Sequence, residues 1–168
     1  MKRTKPFTYN EALSFTAGLC AKCEQCTPDL RKKMSARNLP AGDIDRVIRE
    51  LERMNFVDDD RFARAYAHDK LVFSGWGRKK IIQGLWAKRL PKSSIDQAMD
   101  EIEEEEYTDV ATRVIQSKIR MSKDGVSTYE SKLKILKYAM QRGFECAVVS
   151  RIINDIARRI REEESENN

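Results

Sequence analysis

An all-α fold built from three tandem three-helix repeats is the fold class that this sequence predicts. Residues 39–51 return 51 positions later as residues 90–102, and after a further 54 positions as residues 144–156. The spacing of their apolar residues is that of one helix face, and no sustained alternation of apolar and polar residues indicates a strand. A period of about fifty residues indicates helical units stacked in series, which usually present an extended surface to a large partner. The apolar positions shared by the three copies are Ile44, Val47, Ile48 and Leu51; Ile95, Ala98, Met99 and Ile102; Val149, Ile152, Ile153 and Ile156.

The first repeat is predicted over residues 9–57 and contains three helices. The buried stripe of its first helix is formed by Ala12, Leu13, Ala17 and Cys20. Thr27 is predicted to cap the second helix, with Pro28 at the first helical position, where a missing backbone N–H costs nothing. The second helix ends near Asn38, and the third begins around Asp43.

The second repeat is predicted over residues 58–106. Its first helix begins at Asp58–Asp60, because carboxylates near a helix N-terminus are favoured by the helix dipole. A break at Gly75–Gly77 separates this helix from the next. The second helix keeps the core positions of the first repeat, since Ile81 and Leu85 correspond to Leu30 and Met34 at the same offset of 51 positions.

The third repeat is predicted over residues 107–160 and begins near Thr108. The acidic segment Asp100–Glu106 before it is predicted to be a solvated helix end and a linker between repeats. Ile135 and Ala139 take the places that Ile81 and Leu85 hold in the second repeat.

The two ends of the chain fall outside the repeats. Residues 1–8 are basic and are predicted to be flexible, and residues 161–168 are predicted to form an acidic disordered tail. No apolar run reaches the length of about 18 residues that a membrane helix needs. The basic first residues are not followed by the apolar run that is typical of a signal peptide. The sequence therefore predicts a cytoplasmic protein without a membrane contact.

The charge distribution indicates a polyanionic partner. The formal net charge is +5, and the remainder of the chain carries +11 when the six acidic residues within 100–106 are set aside. Basic residues cluster at Arg31–Lys33, Arg78–Lys80 and Lys88–Arg89. Such clusters are also common on solvated helix faces, so charge alone does not decide between the two interpretations.

Cysteine spacing provides the weak candidates for a metal site, Cys20, Cys23 and Cys26. A tetrahedral zinc site would need a fourth ligand, such as Cys146 or His68. The paired spacing of a zinc ribbon is absent, and Cys20 falls on the apolar stripe, so no metal is predicted. No phosphate-binding glycine loop or nucleophile motif is present either, and we predict no catalytic residue and no cofactor.

The segment Gly75–Ile82 combines an aromatic ring with clustered cations at a helix N-terminus. Such a segment can contact phosphates and stack on a base. Trp76 can instead fix the turn onto Ile81 or Leu85, and this structural role is the favoured interpretation because an exposed tryptophan is costly without a partner.

Two segments resemble the RecX family, the bacterial regulators of the recombinase RecA. Residues 56–66, Phe-Val-Asp-Asp-Asp-Arg-Phe-Ala-Arg-Ala-Tyr, are similar to the family's linker-and-helix signature. Residues 75–81 with Leu85 and Lys88 are similar to its glycine and basic segment. The resemblance covers about residues 9–156, but Arg89 and the two residues after it replace the usual glycine, which puts the geometry of that turn in question.

The resemblance implies a slender, curved molecule that lies in the groove of the RecA filament. Family members act by binding, and they reduce ATP hydrolysis and strand exchange. We therefore expect a monomeric, non-enzymatic regulator of RecA in DNA repair, with weak DNA contacts that are largely to phosphates. The signature positions give the candidate RecA- or DNA-binding residues: Arg61, Arg64, Arg78, Lys79, Lys80, Lys88 and Arg89. The alternative is a helix-turn-helix-like DNA-binding regulator that acts without RecA.

Overall fold

The computed structural model describes residues 5–166, and all regular secondary structure within that range is α-helical. The predicted all-α fold is confirmed. Nine helices lie in the described range: α1 Tyr9–Cys20, α2 Thr27–Ser35, α3 Ala41–Arg53, α4 Asp59–Val72, α5 Arg78–Ala87, α6 Lys92–Asp100, α7 Glu104–Arg120, α8 Tyr129–Gln141 and α9 Cys146–Glu166. None of these helices combines the length and apolar character that a membrane crossing requires.

One backbone turn recurs after α2, α5 and α8. Each turn contains a residue in the left-handed region, namely Asn38 at φ 56°, Arg89 at φ 61° and Gly143 at φ 94°. The backbone N–H of the residue directly after each left-handed residue donates to a carbonyl five residues earlier: Leu39 to Met34 at 3.3 Å, Leu90 to Leu85 at 3.4 Å and Phe144 to Ala139 at 3.2 Å. This is the 6→1 bond of a Schellman motif. The three left-handed residues are separated by the same 51 and 54 positions as the copies of the sequence repeat, so the turn recurs at the equivalent place in each copy.

The described residues pack into two compact units. The first unit comprises the chain up to Tyr66 together with Leu85–Ala98, and the second comprises Ala67–Gly84 together with the chain from Met99 onward. The division of the chain into repeats at residues 57, 106 and 160 stays a prediction.

Helix α3 provides one apolar face of the first unit. The four predicted core positions Ile44, Val47, Ile48 and Leu51 are all buried there, together with Ala12 of α1 and Leu30 and Met34 of α2. Burial of one such side chain stabilises the fold by about 1.5–3 kcal/mol. Thr8 caps α1 through a capping box with Glu11.

The N-terminus of α2 is capped differently from the prediction. Cys26 holds the N-cap position without a side-chain cap, and Thr27 is the first helical residue. The Thr27 N–H and hydroxyl instead donate to the two carboxylate oxygens of Asp59, at 2.7 and 2.6 Å. The prediction was wrong because the acceptor for this helix end comes from a residue that is remote in the sequence.

The second unit contains a close approach of two glycine backbones. A Cβ on Gly77 would lie 2.3 Å from the Gly143 carbonyl carbon, so only glycine fits there. The Gly77 N–H donates to the Arg142 carbonyl at 2.8 Å, and the Lys79 N–H donates to the Gly143 carbonyl at 3.1 Å. The end of α8 thus accepts the free N–H groups at the start of α5, which have no partner within their own helix.

Two helices extend across residues at which the sequence analysis placed the end of a segment. Helix α7 begins at Glu104, so Glu104–Glu106 form its first turn rather than a linker, in accord with the preference for carboxylates at a helix N-terminus. Helix α9 continues through Glu166, beyond the predicted end of the third repeat at residue 160. Of the two predicted flexible ends, residues 1–4 and 167–168 lie outside the described residues.

Candidate functional site

The predicted binding residues are divided between the two units. Arg61, Arg64, Lys88 and Arg89 belong to the first unit, and Arg78, Lys79 and Lys80 belong to the second. Their environments differ, because some of these cations are engaged within the fold and others face solvent.

Arg61 anchors the start of α4 to the loop before α2. Its Nε donates to Glu24 Oε1 at 2.6 Å, and one of its terminal nitrogens donates to Asn55 Oδ1 at 3.0 Å. The hydrogen bond with Glu24 raises the pKa of the Arg61 guanidinium. Arg64 is part-buried on the same helix. Arg61 is thus already occupied by intramolecular partners.

Lys88 joins the end of α5 to the first turn of α2. Its Nζ lies 2.6 Å from Asp29 Oδ2 and 5.4 Å from the ring centroid of Phe62. Burial opposes ionisation of the Asp29 carboxyl group, but the hydrogen bond and positive charge of Lys88 outweigh it and lower the Asp29 pKa. The charge of Lys88 is therefore largely neutralised within the first unit.

Arg89, unlike Lys88, has a charge that the described part of the fold does not pair. Its side chain is exposed, and it makes no ion pair or hydrogen bond to another side chain in the described range. Its backbone takes the left-handed conformation, and its N–H donates to the Trp86 carbonyl at 2.8 Å. The turn after α5, whose geometry the sequence did not settle, therefore forms with Arg89 at the position that Gly143 holds in the third repeat.

An open cleft of about 690 Å³ lies in the first unit between α2 and the residues that end α5. We call it the α2–α5 cleft. Arg31 on its wall forms an ion pair with Asp45, with 2.5 Å between Arg31 Nη1 and Asp45 Oδ1. Lys32 is exposed and has no ion-pair partner within residues 5–166. The residues that line it are Thr27, Pro28, Asp29, Arg31, Lys32, Ser35, Ala87, Lys88 and Arg89.

In the second unit, Arg78 is held by intramolecular partners. Its guanidinium donates to Glu104 Oε1 at 2.6 Å and lies 3.9 Å from the ring centroid of Tyr107. The Arg78 N–H donates to the Tyr107 hydroxyl at 3.2 Å, and that hydroxyl donates to Glu145 at 2.5 Å. Burial and the bond to Glu145 raise the pKa of Tyr107. Arg78 thus fixes the start of α5 against α7.

The two lysines that follow Arg78 differ in the same way. Lys80 Nζ lies 4.6 Å from the ring centroid of Trp76, and Lys70 Nζ lies 4.9 Å from the same centroid. The Trp76 ring is therefore in contact with two cations of its own unit. The side chain of Lys79 is exposed, while its backbone N–H bonds to Gly143.

Trp86 is a residue that the sequence analysis missed. Half of its surface is exposed, and its ring has no aromatic or cationic partner among the described residues. A signal was present in the sequence, because Ile81 and Leu85 fix the buried face of α5 and position 86 falls off it. A half-exposed tryptophan on α5, outside the lining of the α2–α5 cleft, is a candidate contact residue.

The three cysteines of the first repeat do not share one environment. Cys26 is buried at the N-cap of α2, Cys20 is part-buried, and Cys23 is exposed and accepts from Gln25 Nε2 at 3.0 Å. Burial raises the pKa of the Cys26 thiol to about 11. No group of three His, Cys, Asp or Glu side chains within residues 5–166 is arranged to hold a metal ion.

Comparison with known proteins bears on the region that holds all seven candidate residues. Residues 58–99 match the family model described as RecX, second three-helix domain. Regulatory protein RecX of Finegoldia magna is 24% identical over 145 residues, which cover 86% of this chain and 71% of that relative. The resemblance to the RecX family is confirmed. Regulatory protein RecX of Clostridium beijerinckii is 27% identical over 129 residues. The aligned residues cover 76% of this chain and 60% of that relative.

Two RecX crystal structures share the fold. A structure of regulatory protein RecX superposes with a TM-score of 0.76 at 20% identity, over 87% of this chain and 73% of that chain. RecX from Lactobacillus salivarius superposes with a TM-score of 0.79 at 16% identity, over 89% of this chain and 96% of that chain. The RecX arrangement of helices is therefore present here at low sequence identity.

Proposed function

We propose that the protein is a non-enzymatic regulator of RecA, which binds in the groove of the RecA–DNA filament and inhibits its extension, ATP hydrolysis and strand exchange. The match of residues 58–99 to the second three-helix domain of RecX carries this proposal. The relatives named regulatory protein RecX support it over most of the chain. Under this proposal the protein acts as a cytoplasmic monomer in homologous recombination and DNA repair, with weak DNA contacts to phosphates.

The surface chemistry supports binding to a large partner. Helical repeats offer several modest contacts in series, and each contact benefits from the high effective concentration that its neighbours provide. Trp86, Lys79 and Arg89 are the exposed residues that we assign to such contacts. Tryptophan and arginine are both enriched among the residues that dominate binding energy at protein interfaces.

The test is the DNA-dependent ATP hydrolysis of RecA from the same cell. Adding the protein at increasing ratios to RecA, on saturating single-stranded DNA, is expected to lower the hydrolysis rate. Trp86→Ala is expected to raise the concentration for half-inhibition by about tenfold, as the loss of an interface tryptophan does. Tyr129→Ala, which removes an 80% exposed aromatic residue from the second unit, is the matched control and is expected to inhibit like the parent.

The proposed function fails if the rate stays unchanged at a several-fold molar excess of the protein over RecA. Sedimentation of the filament with bound protein separates binding from inhibition. If the protein sediments with the filament but the hydrolysis rate is unchanged, the filament is still its partner and only the proposed inhibition is wrong.

The alternative is a helix-turn-helix-like DNA-binding regulator that acts without RecA. A recognition helix presents its side chains to base edges in the major groove. On α5, Arg78 is paired with Glu104 and Lys80 lies against Trp76, which gives this alternative less support. A footprint on one defined duplex that persists in moderate salt would favour it, whereas uniform and steeply salt-dependent binding reports phosphate contacts alone.

A further inference from the structure

The α2–α5 cleft presents two cations that the fold does not neutralise. Arg31 and Lys88 on its walls are each paired with a carboxylate, Asp45 and Asp29 respectively. Lys32 and Arg89 line the same cleft and have no carboxylate partner among residues 5–166. An anion that enters the cleft therefore meets two unpaired positive charges on walls that the ion pairs hold in place.

The backbone at Arg89 does not require a cation. The turn needs a residue that takes a left-handed φ, and Gly143 provides it at the equivalent position of the third repeat. Asn38 provides it in the first repeat, and asparagine tolerates this region better than most residues. Arginine is a costly choice for such a turn, and strained positions of this kind often occur at binding sites.

The lining of the cleft selects the class of ligand. Among the described residues, Pro28 and Ala87 are the only apolar side chains that line it, and no aromatic ring does. No described ring in the lining is therefore available for a base to stack on, and the two short apolar side chains give an apolar group of a partner protein no specific pocket of their own. The centres of protein interfaces are generally depleted in lysine, whereas phosphate backbones are held by lysine and arginine.

We infer that the α2–α5 cleft binds the phosphate backbone of a nucleic acid, independently of base sequence, through Lys32 and Arg89. The inference rests on the proposed function, since a regulator of a DNA-bound filament meets phosphates where it binds. It goes further by assigning the contact to one cleft of the first unit and to two named cations. Arg31 and Lys88 position the walls and contribute little charge of their own.

The experiment measures binding of the full chain to fluorescent oligonucleotides by anisotropy, without RecA. Oligo-dT and a mixed-sequence strand of equal length are the probes, across a salt series from 50 to 200 mM. The parent protein is expected to bind both strands with equal affinity. Lys32→Gln and Arg89→Gly are each expected to weaken binding about fivefold and to reduce the salt slope by about 0.7, the value for one phosphate of a single strand.

Two variants serve as matched controls. Lys33→Gln makes the same charge change one residue away, at a lysine that donates to Gln25 and does not line the cleft. Asn38→Gly makes the same backbone change as Arg89→Gly in the equivalent turn without removing a charge. Both are expected to bind like the parent. Because glycine suits the turn, weaker binding by Arg89→Gly is not a result of unfolding.

Three outcomes would overturn the inference. The first is equal weakening by Lys32→Gln and Lys33→Gln, which would assign binding to overall charge. The second is no detectable binding of either strand at 50 mM salt. The third is displacement of the strand by poly-glutamate at lower charge concentration than by unlabelled oligo-dT, which would indicate an acidic protein surface as the ligand. RecA inhibition by the parent protein in any of these cases would leave the proposed function standing.

Discussion

The Lys88 ammonium group lies 2.6 Å from a carboxylate oxygen of Asp29, and this pair ties the end of α5 to the first turn of α2. The two side chains are 30% and 37% exposed, so solvent screens their attraction. The pair therefore acts mainly to fix one wall of the α2–α5 cleft, with a modest effect on the free energy of unfolding.

Asp29→Asn is predicted to lower stability in a pH-dependent manner. The folded-state pKa of Asp29 lies below its ordinary value of 3.8, so its charged form stabilises the fold above pH 3.8. That contribution is lost as the pH falls through the folded pKa. Urea unfolding should show a deficit of about 0.5–1 kcal/mol at pH 7 that shrinks at pH 3. A deficit that grows on acidification would contradict this assignment.

Asp59→Ala is predicted to destabilise the first unit although Asp59 begins a different helix. Its carboxylate accepts from both the N–H and the hydroxyl of Thr27, so the substitution removes the cap of α2. Loss of a helix cap costs about 1–2 kcal/mol. Asp60→Ala is the control, because Asp60 is exposed in the same first turn. Equal losses from the two variants in urea unfolding would argue against the capping role.

Gly143→Ala is predicted to be among the most damaging single substitutions in the second unit. Its backbone has φ 94°, and an added Cβ would lie 2.5 Å from the Lys80 backbone nitrogen. Strain and overpacking together are expected to cost about 3 kcal/mol or more. Gly18→Ala in α1, whose added Cβ meets nothing within 4 Å, should instead be neutral or slightly stabilising. Thermal unfolding of the two variants distinguishes local fit from a general effect of removing glycine.

Arg89→Gly is predicted to stabilise the protein. A residue with a Cβ loses about 1 kcal/mol in the left-handed region, and glycine does not. The gain should appear as a higher midpoint of urea unfolding with an unchanged slope. An unchanged or lower midpoint would mean that the arginine side chain contributes to the fold. Asn38→Gly should give a smaller gain, because asparagine already tolerates this conformation.

The sequence predicts the core positions of α3 correctly, because they recur at helical spacing, whereas Met99, Ile102 and Ile156 at the equivalent positions of the later repeats are only part-buried. The four apolar positions of α3 are buried as predicted. The roles of the charged residues depend on partners that are far away in the chain. Arg78 is engaged by Glu104, and Thr27 by Asp59, at separations of 26 and 32 residues. No local pattern encodes such pairs.

The environments of the two tryptophans were also not predictable from the sequence. The glycine and lysine residues around Trp76 draw attention to it, yet its ring contacts two lysines of its own unit. Trp86 stands beside a buried leucine on α5 and is half exposed. Distinguishing the two requires knowing which face of each segment is covered, and this is a property of the folded chain.

The glycine contact in the second unit has a consequence for synthesis on the ribosome. The Gly77 N–H finds its acceptor at Arg142, about 65 residues later in the chain. At a synthesis rate of about 5–20 residues per second, the start of α5 therefore waits about 3–13 s for its partner. During that interval the nascent second unit lacks a closing contact, and its helices are open to chaperones and proteases until α8 emerges.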